Sequence, residues 1–333
     1  MREKRLLIRI VVTGCLTVLL LAGCGRTTKD KDVVTGSTGE VTNSDVNENV
    51  ADKVTVIDVK GEVEIPANPE RIVDLSGNSD ILSILGYSVV GTANSDAYDY
   101  TKFPTYLEET LKGASILGYS MQDTMDIEAV INVEPDLIII STVQEKMYEQ
   151  LKAIAPTIMI QLEALNWKDD IITFAEVFGK VEVAEAWIAE YDLKAKKAGE
   201  TIKASLGDDV SYLSFLASGG QFYVFDGAGF GSVLYEDMGL QAPVGMPEQS
   251  DISLPVVTYE GLAAIEADYI FVLATTDDLA QLEGNAIWNN LPAVKEGNVV
   301  TLGSSPYFNQ GYSSIGRELL LDEILEMIDG TKK

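Results

Sequence analysis

The chain says one thing twice. Residues 126–140 read DIEAVINVEPDLIII, and 132 positions further on residues 258–272 read TYEGLAAIEADYIFV. Each stretch opens on a residue suited to cap a helix, Asp126 or Thr258, and passes through a short helix into an apolar run of strand character. A glutamate, Glu128 or Glu260, falls in the first helical turn of each copy. A negative charge there gains about 0.3–1 kcal/mol from the helix dipole, so either glutamate alone needs no further explanation. Glu134 and Glu266 also correspond, nearer the helix end, and read as surface residues. A helix feeding a buried strand is half of a parallel α/β unit. A chain that carries the unit twice is constrained towards two related lobes.

The rest of the pattern agrees. VTVIDVKGEVEIP from residue 54 alternates about Lys60-Gly61 as a small hairpin, and RIVDL at 71–75 is a strand. Residues 80–85 form an apolar helix closed by Gly86, 88–91 a second strand, and 151–160 a helix end and a strand. The series restarts with strands at 212–216 and 222–225 and a helix over 231–238 closed by Gly239. Residues 288–302, WNNLPAVKEGNVVTL, mirror the piece that begins at Tyr148. Between the two series, DDIITFAEVFGK forms a helix ending at Gly179, and 181–206 contain no proline and few β-branched residues. At 1.5 Å per residue the latter is a rod of about 39 Å. Its Val183, Trp187, Tyr191 and Leu193 lie close to helical spacing and supply one packing stripe. The predicted class is α/β, with two doubly wound, Rossmann-like lobes over 53–180 and 207–330. One long rigid helix, 181–206, joins them, and a ligand cleft lies between.

The front of the chain is separate. Arg2, Lys4, Arg5 and Arg9 precede an apolar run at 10–21 that ends in Leu-Ala-Gly-Cys24. That run is shorter than the roughly 20 residues a span needs, and it reads as a secretory signal over 1–23. Cysteine just after the small residues resembles a bacterial lipobox, in which cleavage leaves Cys24 as a lipidated N-terminus. Residues 24–52 lack aromatic side chains and are dense in Gly, Ser, Thr, Asn and Asp, a flexible tether. The expected location is extracytoplasmic, anchored to the cell membrane through Cys24. Loss of 1–23, which carry those four cations and Glu3, deepens the net charge from −28 to −31. Such a surface repels nucleic acid and anionic membrane. Cys15 leaves with the signal, so no internal disulfide is possible.

Several residue groups together resemble a known family. NPERIV at 68–73 after a hairpin, Leu85-Gly86 before a short strand, and IEAVINVEPDL at 127–137 are similar to the solute-binding lipoproteins of ABC importers for ferric siderophores, haem and cobalamin. The likeness covers nearly all of 54–330. The resemblance implies two α/β lobes bridged by a rigid helix (the helical-backbone class of periplasmic binding proteins), with no catalysis and no permanently bound cofactor. It also implies a permease dimer with ATPase subunits as partner and a monomeric binding protein. Members of the family present one surface glutamate per lobe to arginines of the permease, at positions that match Glu128 and Glu260.

In doubly wound lobes ligands meet the loops at the carboxyl ends of strands. Those loops are 76–80, 94–100, 119–122 and 141–144 in the first lobe, and 217–221, 227–230 and 304–310 in the second. They are rich in Tyr, Asn, Gln, Ser and Gly, which suits a large, partly polar organic ligand. Tyr98, Tyr119, Tyr223 and Tyr307 are the leading candidates, followed by Asn78 and Arg317. The ordinary alternatives are a loop or core tyrosine for each, a strand position for Tyr223, and a helix-surface cation for Arg317. These loops contain no basic residue, and burying a multiple anion such as a ferric tris-catecholate there would cost several kcal/mol. A neutral or weakly charged ferric siderophore of hydroxamate type fits better. Cobalamin is compatible, and haem is so through tyrosine alone, because the chain has no histidine. The same lack disfavours a bare Zn or Mn importer and leaves an enzyme only carboxylate pairs. A tethered scavenger or sensor without a permease is the remaining class.

Overall fold

The structure, a computed structural model, describes residues 52–162 and 165–331. The signal, Cys24 and nearly all of the tether expected over 24–52 lie outside the described residues. Strands β1 (Lys53–Asp58) and β2 (Gly61–Pro66) form an antiparallel hairpin. Asp58 makes its turn by accepting from the Lys60 and Gly61 amides at 2.7 and 3.0 Å. Its other oxygen accepts from the Met159 amide at 2.7 Å, which fixes the hairpin to the first lobe.

That lobe is a five-stranded sheet of β3 (Ile72–Asp74), β4 (Val89–Thr92), β5 (Ser115–Ile116), β6 (Leu137–Ser141) and β7 (Thr157–Ile160). All pairings are parallel, in the order β5-β4-β3-β6-β7. Every residue of β6, LIIIS, is buried, as expected for a central strand covered on both faces. The second sheet comprises β8 (Tyr212–Ser218), β9 (Gln221–Val224), β10 (Val256–Val257), β11 (Tyr269–Ala274) and β12 (Val299–Gly303). Its order, β10-β9-β8-β11-β12, repeats that of the first, but β9 and β10 run antiparallel to their neighbours. The cause is local. Gly219 and Gly220 hold φ of 58° and 77°, the two positive values of a tight hairpin turn, and such a turn can only reverse the chain.

The repeat has a structural basis in its last carboxylate. Asp136 accepts from the amides of Glu70 and Arg71 at 2.8 and 3.0 Å, just before β3. In the second lobe Asp268 accepts from the Ser211 amide and hydroxyl at 2.8 and 2.7 Å, just before β8. Each aspartate thus ties the entrances of two adjacent parallel strands together. Arg71 adds bonds to the carbonyls of Glu134 (2.8 Å) and Val133 (2.5 Å), at the end of the helix Ile127–Asn132.

The connecting helix is Val181–Leu206. It buries Ala184, Tyr191, Ala195, Ala198, Gly199 and Ile202, whereas Leu193 and Val183 are 71% and 42% exposed. The stripe expected through Val183 and Leu193 is therefore rotated. The small residues allow the helix to approach other backbone, and Val183 and Leu193 are left outside. The approach is closest at Gly199, where an added Cβ would stand 1.8 Å from the Met238 carbonyl oxygen. Tyr191 and Trp187 of this helix form an aromatic group with Trp167 of the preceding helix Trp167–Phe178, Tyr191 being centred 4.9 Å from Trp167 and 5.6 Å from Trp187. The helix thereby contributes to a hydrophobic core in each lobe. Gly199→Ala should lower stability by about 1–3 kcal/mol through overpacking, although alanine is the better helix former by about 1 kcal/mol. The urea midpoint measures the sign, and an unchanged or raised midpoint refutes the close contact.

Candidate ligand-binding cleft

The loop that follows β3 is built around one buried carboxylate. Asp74, fully buried, accepts from the Ser76 amide and hydroxyl (2.9 and 2.6 Å), the Asn78 amide (2.9 Å) and the Ser79 hydroxyl (2.6 Å). Burial pushes its pKa up against the opposing pull of these donors. Asn94, beyond β4, clamps the loop by accepting from the Ser79 amide at 3.0 Å and donating to the Gly77 carbonyl at 2.6 Å. Gly77 has φ of 85°, and a Cβ there would fall 2.4 Å from the Ser120 Cβ. Only glycine lets these two strand-end loops touch.

Between the lobes lies a cavity of about 340 Å³. The first lobe lines it with Gly77, Asn94, Ser95, Pro104, Tyr106, Tyr119, Ser120 and Met121. The second contributes Ile252, Leu254, Phe308, Asn309, Tyr312 and Ser313. No charged side chain is among these lining residues. The aromatic hydroxyls stay protonated: burial raises Tyr119, pushes Tyr312 up to about 12, and moves Tyr106 well above the ordinary value with Asp80 and Asp96 adding to the effect. They can therefore donate hydrogen bonds. The buried Ser95 Oγ has no partner among the described residues.

The lobes also touch beside the cavity. Asp80, 2% exposed in the helix Ser79–Ile84, accepts from the Ser313 hydroxyl at 2.7 Å and the Ile315 amide at 3.3 Å, at the start of the helix Ser314–Thr331. Burial raises the Asp80 carboxyl above its usual range, opposed by these donors. Asp96 takes the Ser305 hydroxyl from across the cleft.

The sequence-predicted residues are not all gathered at this cavity. Tyr119 lines it and stacks on Tyr100 with ring centres 5.0 Å apart. Tyr98 is 47% exposed beside the cleft and meets Ser304 of the other lobe. Asn78 precedes the helix Ser79–Ile84 and turns its amide back onto Ser76 at 3.3 Å. Tyr223 sits within β9 and donates to Gln221 at 2.9 Å, and Tyr307 packs against the core of the second lobe.

Arg317 is not the helix-surface cation of the ordinary reading. It is 3% exposed, paired with Asp237 at 2.9 Å, bonded to the Ser232 hydroxyl at 2.7 Å and set 4.8 Å above the Trp167 ring. Asp237 also accepts from the Tyr191 hydroxyl at 2.7 Å. A helix that packs on two sides buries a cation only where an anion awaits it, and that anion is 80 positions away in sequence.

Tyr106, Tyr312, Ile252 and Leu254 line the cavity but were not among the candidates. Tyr106 stands on the single turn Thr105–Leu107, for which Pro104 at its N-cap was the available signal. Glu128 and Glu260 are both exposed in the first turns of the helices Ile127–Asn132 and Tyr259–Ala263. Asp126 caps the first of these, accepting from the Glu128 amide at 2.9 Å. In the second, the Thr258 hydroxyl donates to Glu260 at 2.9 Å, and the backbone amide together with this hydroxyl lowers the Glu260 carboxyl.

Two α/β lobes on a helical backbone, with an uncharged, aromatic cavity between them, define a solute-binding protein. The chain belongs to the periplasmic binding protein family, whose model matches residues 80–306. As a member it is a substrate-binding transport protein and not an enzyme. Among its relatives is the iron(3+)-hydroxamate-binding protein FhuD of Bacillus subtilis (strain 168), 32% identical over 85% of this chain and 86% of that one. Another is the probable siderophore-binding lipoprotein YfiY of the same organism, 32% identical over 70% and 75%. Among solved structures, a periplasmic binding protein component of a ferrichrome ABC transporter from Bacillus subtilis superimposes with a TM-score of 0.67. It is 29% identical, with 83% of this chain and 99% of that one covered. Among the described residues, no helix is long and apolar enough to cross a membrane.

The Asp80 contact has a pH signature. A carboxyl whose folded pKa is raised contributes stability that is full below its unfolded value, about 3.9, and is lost as pH rises through the folded value. Asp80→Asn removes that titration. The urea midpoint of the wild type should therefore rise relative to that of the variant as pH is lowered from about 7 to about 4. A difference that does not change with pH refutes the raised carboxyl.

Proposed function

We propose that the chain is an extracytoplasmic binding protein, lipid-anchored through Cys24, that captures a ferric siderophore and delivers it to an ABC permease driven by ATPase subunits. Within that class the cleft favours a hydroxamate-type chelate over a catecholate. The observation that carries the ligand reading is the cavity wall, where hydroxyls, amides and aromatic faces occur without a single charged side chain. A multiply anionic chelate would find no cation there to offset its desolvation. Among the described residues no cluster of carboxylates could cage a bare ion, so iron would enter already wrapped by an organic ligand. The relatives named for iron(3+)-hydroxamate and siderophore binding support the same class. A ferric tris-hydroxamate should quench the tyrosine and tryptophan fluorescence of the purified, unlipidated protein, and a ferric tris-catecholate should do so at least about ten-fold more weakly. Silence towards both, with a response to cobalamin or haem instead, refutes the assignment.

Glu128 and Glu260 are the proposed contacts with the permease, one on each lobe. Their exposure at capped helix starts leaves both carboxylates accessible to cations of a partner. Replacing both by alanine should leave chelate affinity within about two-fold and reduce cellular uptake at least ten-fold. Undiminished uptake would remove the docking role and favour a scavenger or sensor.

A further inference from the structure

The charges around the cavity are as one-sided as its lining is neutral. Asp96, next in the chain to the lining residue Ser95, is 6% exposed. Its oxygens accept from the Tyr98 amide at 2.7 Å, the Asp99 amide at 3.1 Å and the Ser305 hydroxyl, and none of its partners is a cation. On the other lobe Asp251 immediately precedes the lining residue Ile252, is exposed, and accepts from the Ser253 amide at 2.7 Å. Among the described residues Asp251 forms no ion pair. The neighbouring cations are committed elsewhere: Lys102 to Asp99 at 2.6 Å, Lys146 to Asp123, and Arg317 to Asp237 at 2.9 Å. Low-dielectric walls concentrate such an unbalanced field inside a cleft.

Two lining residues are unusually open. Met121 is 66% exposed and Ile252 is 46% exposed, one on each lobe. They put alkyl surface where the cavity meets solvent, and Asp251 stands beside the second. An alkyl stem with a charged end is the shape that covers such a surface while keeping its head in water. Inside, the unpartnered Ser95 hydroxyl offers the chelate itself a hydrogen bond.

We propose that this cleft selects among ferric hydroxamates by the charge at the end of the arm that leaves the iron centre, preferring a terminal ammonium to a neutral amide and a neutral amide to a carboxylate. The stem lies against Met121 and Ile252, and the ammonium is held towards Asp251. The field of Asp96 acts from behind the opposite wall. This rests on the ferric-chelate reading above and adds to it the determinant of specificity.

The test uses three linear ferric tris-hydroxamates that differ only at a terminal amine: free, acetylated and succinylated. Each is titrated into the unlipidated protein by intrinsic fluorescence at about 0.02 M and about 0.5 M salt. Affinity should fall in the order ammonium, acetamide, succinate, with about ten-fold or more between the extremes at low salt and a clear compression at high salt. Asp251→Asn should narrow the ammonium-to-acetamide ratio by at least about three-fold at low salt. The surface position of Asp251 and the confinement of its hydrogen bonds to the neighbouring Ser253 make that substitution mild for folding. Equal affinity across the series, or an ammonium preference untouched by Asp251→Asn, overturns the proposal while leaving chelate binding in place. If none of the three binds, the ferric-hydroxamate reading falls and charge selection falls with it.

Discussion

The packing of the second lobe on the connecting helix is organised by one buried ion pair. Arg317, from the final helix, meets Asp237 in the second lobe, and the same carboxylate receives the hydroxyl of Tyr191 from the connecting helix. The guanidinium lies over Trp167, from the helix Trp167–Phe178 that packs on the first lobe. Four segments distant in sequence therefore share one pair of charges, and Lys168, from the same helix as Trp167, stands 3.7 Å from the other oxygen of Asp237. Such a pair adds little net stability over an apolar packing of the same volume, but a misplaced member would leave a bare charge in the interior at a cost of about 3–5 kcal/mol. The penalty admits few arrangements of the helices around it. The second lobe and the connecting helix are consequently held in one geometry, and the cleft inherits it.

Against that fixed frame the cavity combines neutrality inside with negative charge behind. Asp74 and Asp80 are buried next to it, but the first is occupied with donors of its own loop and the second with donors of the other lobe, so they shape loops and lobe contacts instead of facing a ligand. The binding surface left over consists of hydroxyls, amides and rings. Its chemistry is that of shape, stacking and weak polar contact, which suits a ligand whose own charges have already been cancelled by a metal ion.

The fold was legible from the sequence because periodicity and repetition are carried by many residues at once. The two copies around Glu128 and Glu260, the buried run LIII of β6 and the proline-free helix each tolerate a local misreading. The cleft was legible only in part. Tyr119 sits in a loop at the end of a strand, which a sequence rule can find, whereas Tyr106 and Tyr312 reach the cavity through the packing of one lobe on the other. Arg317 shows the converse. Its environment is set by Asp237 and Ser232, at least 80 positions away, and nothing in its own neighbourhood signals burial. The exposed Leu193 and the buried Ala195 belong to the same class, since a stripe of small residues carries little signal until the backbone it must approach is known.

The glycine pair at 219–220 separates the lobes in another respect. Every strand pairing of the first sheet joins segments that must return by a crossover, so each is closed at the entropic cost of a long intervening chain. In the second sheet β8 and β9 meet across two residues, and their ladder can form from neighbours alone. Two lobes of the same strand order thus differ in how much of the chain must already be in place before their sheets can begin to close.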